Sequence, residues 1–134
     1  MNSIHDFVMR GGQKMTAGRM DAFKRELPVL KIKAVDADTP ELPHFREQIL
    51  FLVRYAEDVL EGVYACADLT AIAETVFGLE YLLKDVDIIP DSVPGKGFND
   101  DSLVLRSVLI NHEDEFRVFA EKSGLHFEKV TTEA

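Results

Sequence analysis

A chain of 134 residues with 46% hydrophobic and 29% charged side chains has the balance of one globular domain, and excludes a disordered or fibrous chain. The formal net charge is −9, unevenly spread: residues 1–33 carry seven Lys/Arg against Asp6, Asp21 and Glu26, and the rest carry eight basic against 21 acidic side chains. That acidic body repels a phosphate backbone, so nucleic acid is not an expected partner.

Cys66 is the single cysteine, which rules out an intramolecular disulfide and a cysteine-built zinc cluster. It stands between Ala65 and Ala67 with no histidine close in sequence, and is expected as an inert core thiol. No apolar run exceeds the five residues of 49–53, far short of the roughly 20 residues of a bilayer span. His5 and Asp6 stand where a secretory signal would carry basic and then apolar residues, so a cytoplasmic protein without a transmembrane segment is expected.

In chain order, residues 4–27 show an imperfect helical stripe of Ile4, Phe7, Val8, Met15, Ala22 and Phe23, interrupted by Gly11-Gly12. A glycine inside a helix costs about 1 kcal/mol relative to alanine. Residues 1–27 are therefore expected as a kinked amino-terminal helix or two shorter ones, stopped by Pro28. Residues 29–38 alternate weakly, but no second strand candidate exists to pair with them, which predicts helix or loop.

Pro40 and Pro43 mark the start of the next helix, over about 43–63. Phe45, Ile49, Leu52, Val53, Ala56, Leu60 and Val63 recur at helical spacing, while Leu50, Phe51, Tyr55 and Val59 fill much of the other side. Such an element is the buried centre of its domain, or has a face covered by a second copy of the protein. Gly62 offers its end and Asp68 an N-cap for a helix over 69–84, in which Gly78 suggests the close approach of a neighbouring backbone. A loop rich in proline and aspartate follows. The last long helix, about 100–121, places Leu105, Val108, Leu109, His112, Phe116 and Phe119 on one face. Residues 124–134 read as a frayed tail from which Leu125 and Phe127 can dock. The expected fold is all-α: a compact single-domain bundle of four or five helices over residues 1–134, with a central hairpin of the helices at 43–63 and 69–84.

The most distinctive stretch runs Tyr81-Leu82-Leu83-Lys84-Asp85-Val86-Asp87-Ile88-Ile89-Pro90-Asp91, then Pro94, Gly97, Phe98, Asp100 and Asp101. This resembles the signature of the YkvA-like family, a bacterial domain family of unknown function. That signature has a tyrosine-leucine helix end, Asp-Leu-Ile-Pro-Asp, then proline, glycine, an aromatic residue and an Asp-Asp pair. Asp87, Pro90 and Asp91 match its first half, and Pro94, Gly97, Phe98, Asp100 and Asp101 its second; Asp85 stands where the family usually has proline. The resemblance covers residues 81–105 and implies a compact helical module without supplying a reaction.

Read from the residues, the stretch is first a folded connector: Pro94-Gly95 suits a type II turn, and Asp91 can bond its own turn. Asn99 or Asp100 would cap the last helix, with Asp101 favoured in its first turn by the helix dipole. The alternative is a divalent-cation site supporting Mg²⁺-, Ca²⁺- or Mn²⁺-dependent activity at Asp87, Asp91, Asp100 and Asp101 with His112, since converging carboxylates need a positive charge between them. Arg54 or Arg106 would meet the same need. The spacing does not fit an EF-hand, because Pro90 takes the glycine position and Lys96 that of the final glutamate. His112 lies on an apolar stripe and is expected as a core-edge histidine. The basic amino-terminal residues Arg10, Lys14, Arg19, Lys24 and Arg25 form a solvated face, or touch an anionic lipid surface or acidic partner. These observations favour a non-catalytic interaction module, with a homo-oligomer or protein partner and no cofactor, over the metal-dependent activity.

Overall fold

The computed structural model describes residues 3–37, 40–66, 68–88 and 99–134. Among them there is no strand, and the all-α expectation holds. The helices are α1 (Ser3–Gln13), α2 (Ala17–Phe23), α3 (Leu27–Lys33), α4 (Phe45–Leu60), α5 (Leu69–Ile88), α6 (Asn99–Asn111), α7 (Glu113–Ser123) and the single turn α8 (Phe127–Val130). Short 3-10 turns, Lys24–Glu26 and Ala34–Ala37, precede and follow α3. The described residues thus form more segments than the four or five expected, because the predicted first and last helices are each divided.

The division near the amino terminus does not fall at Gly11-Gly12. Helix α1 runs through both glycines to Gln13, and the break comes at residues 14–16, where the Arg19 N–H donates to Thr16 Oγ1 (3.1 Å) and starts α2. Packing explains the difference. A Cβ on Gly11 would collide with the Phe77 ring, and one on Gly12 would stand 2.7 Å from Glu74 Cγ. The glycines are the flat strip on which α1 lies against α5, and tertiary contact outweighs their poor helix propensity. Pro28 does not end a helix either; it sits in the first turn of α3, where its missing N–H is harmless.

Helix α5 is the hub, packed by α1, α4 and α6 and more lightly by α2 and α3. Gly78 on α5 admits Leu105 and Val108 of α6, at 3.1 and 3.4 Å from the position of a Cβ, so the close neighbour is side chain rather than backbone. Helix α4 is buried along Phe45, Ile49, Phe51, Leu52, Val53, Tyr55 and Ala56, by α3, α5, α6 and α8 of the same chain. Its apolar faces therefore need no second copy to cover them.

The last long helix is broken at His112 (φ −129°, ψ 34°), and α7 departs as a separate helix. Its Phe116 and Phe119 rings meet Phe51 edge-to-face at 5.8 Å each, and Phe127 of α8 meets Phe51 at 5.6 Å. Each such aromatic pair adds about 0.5–1.5 kcal/mol beyond its area burial. The tail is docked rather than frayed. Gly124, in left-handed backbone (φ 72°), turns the chain, Phe127 and Val130 are buried, and the buried Gln48 Nε2 donates to the carbonyls of Thr131 (3.1 Å) and Glu133 (2.6 Å).

Candidate functional site

Two local decisions of the chain build one cleft. Helix α4 ends at Leu60 with Glu61 as its C-cap, Gly62 takes the left-handed φ of 80° that ordinary side chains resist, and the N–H groups of Val63 and Tyr64 donate to Asp58 O at 2.8 and 3.0 Å. This turn folds Tyr64 back onto Tyr55 and Phe119, with ring centroids 6.0 and 4.9 Å apart. Asp68 then caps α5 as the sequence suggested, Oδ1 accepting from the Thr70 N–H at 2.9 Å.

The second decision is the break between α6 and α7. Glu74 of α5 is only 2% exposed, and a carboxylate so deeply placed requires partners. Asn111 Nδ2 donates to its Oε1 at 3.1 Å, and His112 Nε2 approaches the same oxygen at 3.1 Å, too obliquely for a well-formed hydrogen bond. On the other edge of the ring, His112 Nδ1 lies 4.0 Å from Asp68 Oδ2. The imidazole thus lies between two carboxylates, and Asn111, in the last turn of α6, bonds Glu74. Helix α7 begins immediately after, with Glu113, Asp114 and Glu115 in its first turn, where the helix dipole favours negative charge.

Between these two features lies an open cleft of about 660 Å³, walled by Asp68, His112, Glu113, Asp114 and Glu115 together with Ile110 and Val118, which are 49% and 44% exposed. Glu115 reaches inward, Oε2 accepting from Tyr55 Oη at 2.8 Å and Oε1 from Tyr64 Oη at 3.5 Å. Burial, reinforced by Glu115, pushes both phenols above their ordinary range. Burial and then Glu115 also push the Cys66 thiol up, and the residue is partly exposed rather than in the core.

The residues singled out in the sequence distribute differently. Tyr81 is half-buried, its ring edge-on to Phe7 at 5.6 Å. Asp87 falls in the last turn of α5. Pro90, Asp91, Pro94, Gly97 and Phe98 lie outside the described residues, as does the predicted Pro94-Gly95 turn. Asp100 and Asp101 occupy the first turn of α6, the first exposed and the second fully buried. Asn99 and Asp100 fall within the bounds of α6. His112 is eleven residues beyond Asp101, about 16 Å along the helix, and does not join it. Among the described residues no group of three or more His, Cys, Asp or Glu side chains is arranged to hold a metal ion. Arg54 turns to Asp58 (3.0 Å) and Arg106 Nε to Ser102 Oγ (3.0 Å).

Three of the five basic amino-terminal residues are ion-paired: Arg10 approaches Asp6 at 3.9 Å, Arg19 pairs with Glu80 at 2.7 Å and Lys24 with Asp21 at 3.5 Å. Among the described residues no helix is long and apolar enough to cross a membrane. Sequence reasoning missed Glu74, Tyr55, Tyr64 and Glu115. One signal was available: Glu74 interrupts a helix that is apolar nearly all round, where any carboxylate must be buried and therefore partnered. No family model, curated protein or solved structure matches this chain.

Proposed function

We propose that the protein is a non-catalytic helical interaction module, of the kind its YkvA-like resemblance implies, and that the cleft receives a basic, partly apolar segment of a partner protein. The carrying observation is the juxtaposition on one concave surface of Asp68, Glu113, Asp114 and Glu115 with the exposed Ile110 and Val118. Asp114 and Val118 stand one turn apart on α7, so a helix carrying a cation beside an aliphatic residue would meet both at once.

What favours binding over reaction is the state of the nucleophilic groups nearby. Cys66, Tyr55 and Tyr64 are all pushed up, away from the thiolate or phenolate that nucleophilic chemistry needs. Fluorescence anisotropy with a labelled lysine–leucine amphipathic peptide tests the reading. Saturable binding that weakens as salt rises, and falls about tenfold in Asp114→Lys, is expected. Binding equal in wild type and Asp114→Lys, or none at all, contradicts it.

A further inference from the structure

Helix α3 presents the complementary surface. It buries Leu27 and Leu30, with Ala34 just beyond, yet its opposite side leaves Val29 and Ile32 exposed, and the 3-10 turn that follows leaves Val35 exposed, the last two at 73% and 58%. Their spacing of three residues places them in one stripe, which begins one turn earlier at the exposed Arg25. Lys31 and Lys33 flank it; Lys31 pairs with Glu57 at 2.7 Å, whereas Arg25 and Lys33 have no ion-pair partner among the described residues. An aliphatic stripe edged by cations on a short helix is the counterpart of an aliphatic cleft edged by carboxylates.

The two surfaces do not meet within one molecule. Lys31 of α3 pairs with Glu57 of α4, while Tyr55, two residues earlier on α4, carries the Glu115 bond of the cleft. Two residues are about 200° of helix rotation, so α3 and the cleft lie on nearly opposite sides of α4. We propose that the occupant of the cleft is α3, with its flanking 3-10 turns, of a second copy of this chain, its Val29, Ile32 and Val35 against Ile110 and Val118, its Arg25 against Asp114, and its Lys33 against Glu113, which also pairs with Arg117 of its own helix at 2.7 Å. The contact is heterologous: two different surfaces meet, closing into a two-fold pair if both contacts form reciprocally and extending into a chain if they do not. The inference rests on the reading of the cleft given above.

Because the surfaces differ, they can be disabled separately. Ile32→Glu spoils the stripe and keeps the cleft; Asp114→Lys spoils the cleft and keeps the stripe. Both positions are exposed, so neither substitution disturbs the core. In sedimentation velocity up to about 1 mM chain, wild type is expected to show a mass that rises with concentration. Each variant alone should weaken association at least about tenfold, and an equal mixture should form a 1:1 pair through its one intact contact. A wild type that stays monomeric, an Asp114→Lys variant that assembles like wild type, or a mixture that does not pair overturns the proposal. The lysine–leucine peptide titrated into Ile32→Glu separates the two readings: binding there with no self-association leaves the cleft reading standing and removes this one, and absence of binding removes both.

Discussion

Substituting Gly12 by alanine tests the docking of α1 on α5 through the sign of the effect. On intrinsic propensity the change should stabilise the chain, alanine being better than glycine in a helix interior by about 1 kcal/mol. In the folded protein the new Cβ would stand 2.7 Å from Glu74 Cγ and 3.4 Å from the Glu74 backbone nitrogen. Glu74 is not free to yield, since its carboxylate is buried and bonded by Asn111. Forcing a methyl group into such a place costs about 1–3 kcal/mol, and spoiling the buried acceptor about 1–3 kcal/mol more. Against the propensity gain, a net loss of about 1–5 kcal/mol is expected, at roughly 4 °C of Tm per kcal/mol for a domain of this size. Urea denaturation gives the magnitude. Gly18 of α2 is the control, because nothing lies within 4 Å of its Cβ position and its backbone is ordinary helix; Gly18→Ala should stabilise by about 0.5 kcal/mol. If Gly12→Ala raises stability as Gly18→Ala does, α1 does not lie on α5 as described.

The remaining predictions concern the cleft, the tail and the aspartates. Tyr55→Phe keeps the ring packing on Phe116 and Phe119 at 4.9 and 5.0 Å but removes the donor to Glu115, and should cost about 1–2 kcal/mol in urea denaturation. The pushed-up groups fix an alkaline limb: the unfolded chain gives up protons from Cys66 near 9.0 and from the tyrosines near 10.0 while the folded chain keeps them. Stability from these groups is therefore complete below pH 9 and falls as pH rises through 9–10 and beyond, less steeply in Tyr55→Phe; a flat urea midpoint over that range would contradict the sign. Gln48→Met should cost about 1–3 kcal/mol and speed amide exchange over residues 127–133, whose carbonyls it ties to α4. Melting curves in Mg²⁺, Ca²⁺ and Mn²⁺ are expected to superimpose. A rise of several degrees, which about 2.7 kcal/mol would give at 100 times Kd, would bring forward a cation site at Asp87, Asp91, Asp100 and Asp101.

The helices that dominate the core were legible because burial on several sides writes itself into sequence spacing: Phe45 to Leu60 and Leu69 onward need no knowledge of their neighbours. Local backbone chemistry was equally legible, in Gly62 with its left-handed φ and in Asp68 with its cap. What could not be read were the features set by a partner distant in sequence. The apolar stripe of the last helix continues in register across His112, so spacing alone joins two helices that the His112 backbone separates. Gly11-Gly12 looks like a break until Phe77 and Glu74 are brought against it. The tail reads as frayed, with only Leu125 and Phe127 able to dock, because the Gln48 amide that holds its carbonyls comes from α4. The cleft was hidden for the same reason: Asp68, Glu115 and Tyr55 belong to three elements, and no local motif joins them.

The amide spectrum of ¹⁵N-labelled Ile32→Glu protein, titrated with the lysine–leucine amphipathic peptide, tests most directly whether the cleft is a binding surface. Saturable shifts centred on Asp68, Ile110, Asp114 and Val118, reduced by added salt, are predicted. Shifts confined to α1 and α2, or a spectrum unchanged by the peptide, would contradict the account.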